Sequence, residues 1–267
     1  MSNTAISVSG LAKWYLVNEL RFRSTLSGVV GRWVTAPFRR QPAAARPAHQ
    51  IPDAIWALRD ISFEVQTGSV LGVIGRNGSG KSTLLRILAR ITTPTEGTAV
   101  LHGRVGALLE VGTGFHPDLS GRENIVLCGT MIGMTPKEIR LREDEIIAFS
   151  ECENFIDTPV RHYSSGMFMR LAFAVAAHLE AEIMLIDEVL AVGDEAFQEK
   201  CKAKIRDTAL SGRTVLFTSH DMNSIRTLCH SCLVLDQGRA IHHGDVDRGI
   251  RVYKKICGIS VQEPLDG

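Results

Sequence analysis

A glycine-rich stretch at residues 75–82 carries the strongest chemical signal in the sequence. It consists of Gly75, Arg76, Asn77, Gly78, Ser79, Gly80, Lys81 and Ser82, and Thr83 follows it. Glycines let the backbone turn tightly enough for successive N–H groups to point at phosphate oxygens. We therefore predict that Lys81 binds the β- and γ-phosphates of a nucleoside triphosphate. The hydroxyl of Ser82 is the predicted ligand of its Mg²⁺ ion.

The residues on either side of this stretch predict the elements that hold it. Residues 70–74 are apolar and indicate a buried strand, whereas residues 83–89 have the pattern of a helix. The dipole of such a helix adds positive potential where the phosphates bind. An ordinary turn between a strand and a helix is the alternative, and the complete spacing together with both flanking elements favours phosphate binding.

Two further apolar runs end in side chains suited to hydrolysis. Residues 183–186 lead directly to Asp187 and Glu188, and the run that starts at residue 215 ends in His220. In parallel α/β sheets, reactive groups gather at the carboxyl ends of strands. We predict that Asp187 holds Mg²⁺ through water and that Glu188 polarises the water attacking the γ-phosphate. His220 is predicted to bond that phosphate or the water.

Glu110 is a further candidate, because it ends a predicted strand just before a second glycine-rich segment, residues 112–114. A carboxylate at that place could reach the metal ion or the attacking water. The alternative is an exposed carboxylate at the end of a strand.

A second anion site is predicted at Ser164, Ser165 and Gly166, which precede the helical run 168–179. Small polar residues at a helix N-terminus leave backbone N–H groups open to an anion. The alternative is a plain N-cap, in which the serine serves only its own helix.

An aromatic side chain near the start of a nucleotide-binding domain can stack on adenine. Tyr15 is our candidate, with Trp14 and Trp56 as further possibilities. The alternative is that all three belong to the core or to an interface.

Composition limits the class of protein. The chain has 267 residues, a hydrophobic content of 45% and a net charge of +1. This length and hydrophobic content suit one α/β domain with a subdomain. The small net charge argues against a protein whose main function is to bind nucleic acid. The N-terminal residues lack the pattern of a secretory signal, and the apolar runs are too short to span a membrane. We therefore expect a cytoplasmic chain whose six cysteines stay reduced.

The domain prediction is a single unit at residues 1–258 with a tail at 259–267. Residues 16–55 are expected to be an insertion, with an apolar face and arginines that suit contact with a membrane protein or with lipid headgroups. A solvated basic loop is the alternative.

Residues 115–165 indicate an inserted helical subdomain, with capping boxes starting at Ser120 and Thr135. Residues 98–101 and 105–109 are predicted to form a hairpin.

With these motifs in this order, the chain resembles the nucleotide-binding subunits of ATP-binding-cassette (ABC) transporters. Residues 108–117, 163–167 and 191–194 look like those of bacterial exporters of polysaccharides and teichoic-acid-type polymers. The sequence departs from the pattern of the wider family at two places, and at both it is similar to the sequences of the polymer-export branch. Glu110 replaces a glutamine, and Tyr-Ser-Ser-Gly-Met at residues 163–167 replaces Leu-Ser-Gly-Gly-Gln.

The resemblance implies a P-loop NTPase fold of the ABC type, with a mixed sheet, an antiparallel β subdomain and the helical subdomain. It also implies a homodimer in which each ATP lies between residues 75–83 of one subunit and residues 164–166 of the other. The expected partner is an integral membrane permease, and the expected cargo is a lipid-linked glycan or polymer. The chain would lie peripherally on the cytoplasmic side of the bacterial inner membrane.

Two alternative functions stay open. One is an importer or small-molecule exporter of the same family, which shares the chemistry but not the substrate. The other is a soluble cassette ATPase that acts on ribosomes or DNA. Those proteins resemble tandem cassettes or carry long coiled-coil insertions, and this sequence has one phosphate loop and no such heptads.

Overall fold

The computed structural model describes residues 3–16, 54–109, 112, 114–187 and 194–259. The strands there are β1 (Thr4–Leu16), β2 (Ala54–Gln66), β3 (Val70–Gly75), β4 (Glu96–Leu101), β5 (Val105–Leu108), β6 (Ile183–Ile186), β7 (Thr214–Thr218), β8 (Ser231–Asp236) and β9 (Arg239–Gly244). The α-helices are α1 (Lys81–Leu88), α2 (Gly121–Met131), α3 (Pro136–Ser150), α4 (Ser165–Ala177), α5 (Glu195–Leu210), α6 (Met222–Leu228) and α7 (Val246–Ile256). None of these helices is long and apolar enough to cross a membrane.

Several predictions fall outside the described residues. They concern Glu110, Glu188, residues 17–53 of the expected insertion and residues 260–267 of the expected tail. The outermost residues of the predicted insertion are strand residues, because Leu16 ends β1 and Ala54 begins β2.

The larger of the two sheets has the strand order β5-β6-β7-β3-β8-β9. Its neighbouring strands are parallel, except that β9 runs antiparallel to β8. Strands β3, β6 and β7 are buried along their whole length, as expected for strands covered on both faces. Because these three strands are adjacent and parallel, their carboxyl ends meet at one edge of the sheet.

Alternation along the strands divides the core into two layers. Val73, Leu185 and Leu216 pack with α1 and the smaller sheet on one face. Ile74 and Phe217 pack with the remaining helices on the other face. Side chains of successive strand residues point to opposite faces, so the larger sheet lies between these two layers.

The smaller sheet is antiparallel, with the order β2-β1-β4. The predicted hairpin of residues 98–101 and 105–109 is wrong, because β4 pairs with β1 whereas β5 pairs with β6 of the larger sheet. Gly103, at a φ of 129°, lies in the connection that leads from one sheet to the other. Glycine at that place indicates a turn but does not specify which strands pair.

Both predicted capping boxes are present in the helical region. Ser120 and Glu123 bond reciprocally at the start of α2, as Thr135 and Glu138 do at the start of α3. Arg104, just before β5, donates from Nη1 to Glu138 Oε1 at 2.7 Å. The helical region is therefore tied to the edge of the larger sheet. The predicted α/β class, with a mixed sheet, an antiparallel sheet and a helical subdomain, is confirmed.

Candidate active site

The loop between β3 and α1 has the tight backbone that its glycines predict. A Cβ atom on Gly75 would lie 2.3 Å from the carbonyl oxygen of Leu235. A Cβ atom on Gly80 would lie 2.5 Å from the carbonyl oxygen of Ala57, and Gly80 also has a φ of 107°. Only glycine fits both positions. The backbones of β8 and β2 therefore hold the loop in place.

Lys81 begins α1 and is only 8% exposed. Its ammonium group donates to the carbonyl oxygens of Gly75 at 2.7 Å and Arg76 at 3.3 Å. The lysine thus lies across its own loop. Hydrogen bonds from an ammonium group to phosphate oxygens are stronger than those to neutral carbonyl groups, so a bound phosphate can take over these contacts.

Helix α1 begins at Gly80 without a side-chain cap. In contrast, α2 to α7 each begin at a residue whose side chain accepts a hydrogen bond from the first turn. The first N–H groups of an uncapped helix need water or a ligand as acceptor. Since the helix dipole also favours negative charge at this end, the start of α1 suits a phosphate.

Ser79 adds a second, independent sign of a ligand in this loop. Its hydroxyl group is buried, at 3% exposure of the residue, and has no hydrogen-bond partner among the described residues. An unpaired buried hydroxyl costs about 1–3 kcal/mol. A phosphate oxygen in the loop would supply the missing partner.

Asp187 lies immediately beyond β6, at the sheet edge that also carries the loop. Thr218, the buried last residue of β7, donates from Oγ1 to Asp187 Oδ1 at 2.6 Å. The N–H group of Asp187 is 3.3 Å from the carbonyl oxygen of Leu108. These two bonds orient the carboxylate at the ends of three neighbouring strands, β5, β6 and β7.

Sequence reasoning did not single out Thr218 as a site residue. The available signal was a hydroxyl at the end of an otherwise apolar buried run. His220 follows two residues later and is exposed. Gly75 ends β3, whereas Asp187 and His220 lie just beyond β6 and β7, so the structure brings all three to one edge of the sheet, as predicted. Ser82 is exposed and Thr83 is half-buried in the first turn of α1.

Ser164 lies away from these strands, at the start of α4 in the helical region. Its hydroxyl accepts a hydrogen bond from the N–H group of Met167 at 3.1 Å, as a plain N-cap does. Ser164 and Ser165 are both exposed, and Gly166 is half-buried. The hydroxyl of Ser164 therefore serves its own helix, while this helix start faces the surface.

The three aromatic candidates lie where the end of β1 pairs with the start of β2. The ammonium group of Lys13 lies 5.0 Å from the centre of the Tyr15 ring and donates to the carbonyl oxygen of Thr93, just beyond α1, at 2.9 Å. Tyr15 is thus linked through Lys13 to the segment that follows α1. Trp14 is the cross-strand partner of Trp56, and Tyr15 is that of Ile55.

The donor atoms at this edge fit Mg²⁺. The hydroxyl of Ser82 and the carboxylate of Asp187 are hard oxygen ligands, and Mg²⁺ uses few protein ligands together with water and phosphate oxygens. The described residues contain no group of three His, Cys, Asp or Glu side chains that could hold a metal ion alone. Burial raises the pKa of the Cys229 and Cys232 thiols to about 12, which makes them poor metal ligands.

Comparison with known proteins adds family relationships. The family model described as ABC transporter matches residues 58–191. The chain is 53% identical over 206 residues to the O-antigen export system ATP-binding protein RfbB of Myxococcus xanthus, covering 77% of this chain and 47% of that protein. It is 47% identical over 199 residues to the protein of the same name from Klebsiella pneumoniae, covering 74% and 81%.

A third relative is the teichoic acids export ATP-binding protein TagH of Bacillus anthracis. It is 40% identical over 215 residues, covering 79% of this chain and 39% of that protein. The chain therefore spans about half the length of the Myxococcus relative and less of the Bacillus relative, but most of the Klebsiella relative.

Two solved structures share the fold. One is the dimeric structure of a post-hydrolysis state of an ATP-binding cassette bound to ADP and Pi, with a TM-score of 0.66, 20% identity and 90% of this chain covered. The other is an ATP binding subunit of an ABC transporter, with a TM-score of 0.67, 18% identity and 96% covered. At these identities the likeness concerns the fold, and it agrees with the class predicted from the sequence.

Proposed function

The chain belongs to the ABC transporter family, and from this premise we propose that it is the ATP-hydrolysing subunit of an exporter of a lipid-linked polysaccharide or teichoic-acid-like polymer. One observation above all supports nucleotide binding. The loop at residues 75–82 combines an uncapped helix start, a buried lysine and the buried, unpartnered hydroxyl of Ser79. All three features suit a polyphosphate.

In the proposed complex, the phosphates of ATP occupy the loop. The backbone N–H groups from Gly78 to Thr83 surround them, and Lys81 exchanges its carbonyl contacts for the β- and γ-phosphate oxygens. Tyr15 is the proposed stacking partner of adenine, since an aromatic side chain near the start of a nucleotide-binding domain can stack on that base. Arg76 and Asn77 are exposed at the mouth of the loop.

Hydrolysis is assigned to the edge where β3, β6 and β7 end. Ser82 and, through water, Asp187 hold Mg²⁺, which would neutralise charge on the phosphates when bound. Thr218 keeps the Asp187 carboxylate oriented. Glu188 is the proposed base for the attacking water and His220 the proposed partner of the γ-phosphate. Glu110 is a further candidate for the metal or the water; like Glu188, it lies outside the described residues.

A second copy of the chain completes the site in this proposal. The exposed start of α4, at residues 164–166, would contact the γ-phosphate held by the partner chain. Support comes from its position in the helical region, apart from the loop of its own chain, and from the dimeric state named for one structural neighbour. ATP would thus be held between two copies of this chain.

The polymer and the membrane partner are inferred from the relatives. Proteins 40–53% identical to this chain are named for O-antigen and teichoic acid export. We therefore assign the chain to the cytoplasmic face of the bacterial inner membrane, bound to an integral membrane permease. The expected insertion at residues 16–55, most of which lies outside the described residues, is a candidate contact with that permease or with lipid headgroups.

The first test replaces the loop lysine. Lys81→Ala should abolish ATP binding and hydrolysis, because backbone N–H groups cannot replace the charge at the phosphates. Equilibrium dialysis with labelled ATP and phosphate release measure the two activities. The control is Lys137→Ala, which removes an exposed lysine from the first turn of α3. Equal ATP affinity in Lys81→Ala and the parent chain would contradict the proposal.

The transported substrate needs a separate test. The chain should fractionate with membranes and purify together with a permease and a lipid-linked polymer, which mass spectrometry would identify. Fractionation of the chain away from membranes, with no permease or polymer recovered alongside it, would contradict the transport role and leave the ATPase assignment intact.

A further inference from the structure

Arg170, in the second turn of α4, joins three helices of the structure. Its side chain is only 20% exposed. One end of the guanidinium group, Nη1, is 2.6 Å from Glu151 Oε2, and the other, Nη2, pairs with Asp194 Oδ2. Glu151 directly follows α3, and Asp194 is the N-cap of α5. The planar fork of arginine suits this double contact, which lysine cannot reproduce.

Neighbouring groups hold both carboxylates in position. Lys200 Nζ lies 3.1 Å from Glu151 Oε1, and it also donates to the carbonyl oxygen of Phe149 at 2.9 Å. The other oxygen of Asp194, Oδ1, accepts the N–H group of Phe197 at 3.0 Å as the cap of α5. The ring of Phe197 lies 5.1 Å from the Arg170 guanidinium.

One of the elements joined by Arg170 carries the helix start on which the proposed reaction depends. Helix α4 begins at Ser165, five residues before Arg170, so its N-terminus lies about 7.5 Å away along a rigid helix. Helix α5 begins just after Asp194, seven residues along the chain from Asp187. The guanidinium group therefore holds the helix that carries the exposed start at residues 164–166 to the end of α3 and to the start of α5.

We propose that Arg170 is a positioning residue for ATP hydrolysis, which fixes the start of α4 relative to the end of α3 and the start of α5. This inference rests on the proposed ATPase function. Arg170 does not touch the nucleotide in this proposal. It acts through the start of α4, and its loss should alter the rate of hydrolysis and leave ATP binding to the loop unchanged.

A second arginine with the same pattern provides a matched control. Arg122 in α2 also binds two carboxylates, Glu143 at 2.6 Å and Asp157 at 2.8 Å. Both partners of Arg122 lie within the helical region, so this arginine makes no contact with α5. Replacing it removes the same number of ion pairs without disconnecting the helical region from Asp194.

The experiment compares Arg170→Met, Arg170→Lys and Arg122→Met in the full-length chain. Arg170→Met should lower kcat about 10- to 100-fold, as expected when reacting groups are misplaced by roughly 1 Å. The ATP affinity of the chain should stay at the parental value. Arg170→Lys should recover part of the rate because it keeps one ion pair, and Arg122→Met should hydrolyse ATP like the parent.

A double-mutant cycle then tests the pair itself. Asp194→Asn keeps a good N-cap for α5 but removes the charge that Arg170 binds. It should lower kcat, and the double variant should hydrolyse ATP as Arg170→Met does, with no further loss, because Arg170→Met already breaks the contact with Asp194. Additive losses would overturn the inference.

The remaining outcomes are also decisive. Parental kcat in Arg170→Met would overturn the inference and leave the proposed ATPase function intact. An equal loss in Arg122→Met would also overturn it, since the effect would then be general loosening of the helical region. No hydrolysis by the parent chain would overturn the proposed function, and this inference with it.

Discussion

At the scale of single residues, the hydroxyl of Ser79 stands out because it is buried and has no hydrogen-bond partner in the described part of the chain. The loop keeps this unsatisfied group, the lysine contacts to Gly75 and Arg76, and the uncapped start of α1 together in one place. Unsatisfied polar groups, such as the Ser79 hydroxyl and the first N–H groups of α1, are typical of sites arranged for a ligand. We therefore expect the loop to lower the free energy of unfolding of the chain before nucleotide binds. The same features should favour phosphate binding.

Ser79→Ala tests both expectations directly. The change should raise the free energy of unfolding of the nucleotide-free chain by about 1 kcal/mol, because it removes an unpaired buried hydroxyl. It should also weaken ATP binding, because the phosphate loses a donor. Urea denaturation and equilibrium dialysis measure the two effects. Ser150→Ala is the matched control, since that buried hydroxyl donates to the carbonyl oxygen of Ile147 at 2.8 Å and its loss should destabilise the chain.

A drop in stability for Ser79→Ala similar to that of Ser150→Ala would show that the Ser79 hydroxyl is already satisfied in the free chain. Unchanged ATP affinity would remove Ser79 from the phosphate site.

At the scale of elements, a charged contact links the helical region to the edge of the larger sheet. Arg104 donates to Glu138 Oε1 at 2.7 Å, and Glu138 is at the same time part of the capping box of α3. The hydrogen bond from Arg104, followed by those from Thr135, lowers the pKa of Glu138 from 4.5 to about 2. A carboxylate so perturbed makes the stability of this junction depend on pH.

Arg104→Met should reveal this dependence. Because the pKa of Glu138 is lowered by folding, its contribution is present above pH 4.5 and is lost as the pH falls towards about 2. The variant should therefore be less stable than the parent at about pH 6, and the difference should shrink as the pH falls to about 3.5. Urea denaturation at several pH values measures it. The control is Arg140→Met, at an exposed arginine of α3.

A difference between Arg104→Met and the parent that stays constant over this pH range would assign the effect to packing of the arginine side chain. The pH dependence would then belong to other carboxylates.

At the scale of the whole molecule, the two halves of the proposed ATP site lie on different parts of the chain. The phosphate loop and Asp187 are at the carboxyl edge of the larger sheet, whereas the exposed start of α4 belongs to the helical region. In the proposed dimer each half meets the opposite half of the partner. Each ATP site would then contain residues from both copies of the chain.

Mixing two inactive variants tests this shared site. Homodimers of Ser164→Arg, and those of Lys81→Ala, should carry one lesion in every site and be inactive. A heterodimer of the two should collect both lesions in one site and leave the other intact, so ATP hydrolysis should reappear in the mixture. A mixture of Lys81→Ala with the double variant is the control and should stay inactive. Lack of any recovery, with heterodimers demonstrated by differential tagging, would contradict the shared site.

The sequence by itself determined the parts of this protein that depend on neighbouring residues. The phosphate loop, both capping boxes and the buried strand that ends at Asp187 were all predicted, because backbone geometry and helix caps depend on residues a few positions apart. The family resemblance was confirmed for the same reason, since it rested on short contiguous motifs.

Only the tertiary structure decided the relations between distant segments. It assigned β5 to the larger sheet, paired Trp14 with Trp56, gave Asp187 its partner Thr218 and joined Arg170 to Glu151 and Asp194. Strand pairing and ion pairs between helices depend on which elements pack together in three dimensions. Local periodicity predicts that an element exists, but it carries no information about its neighbours.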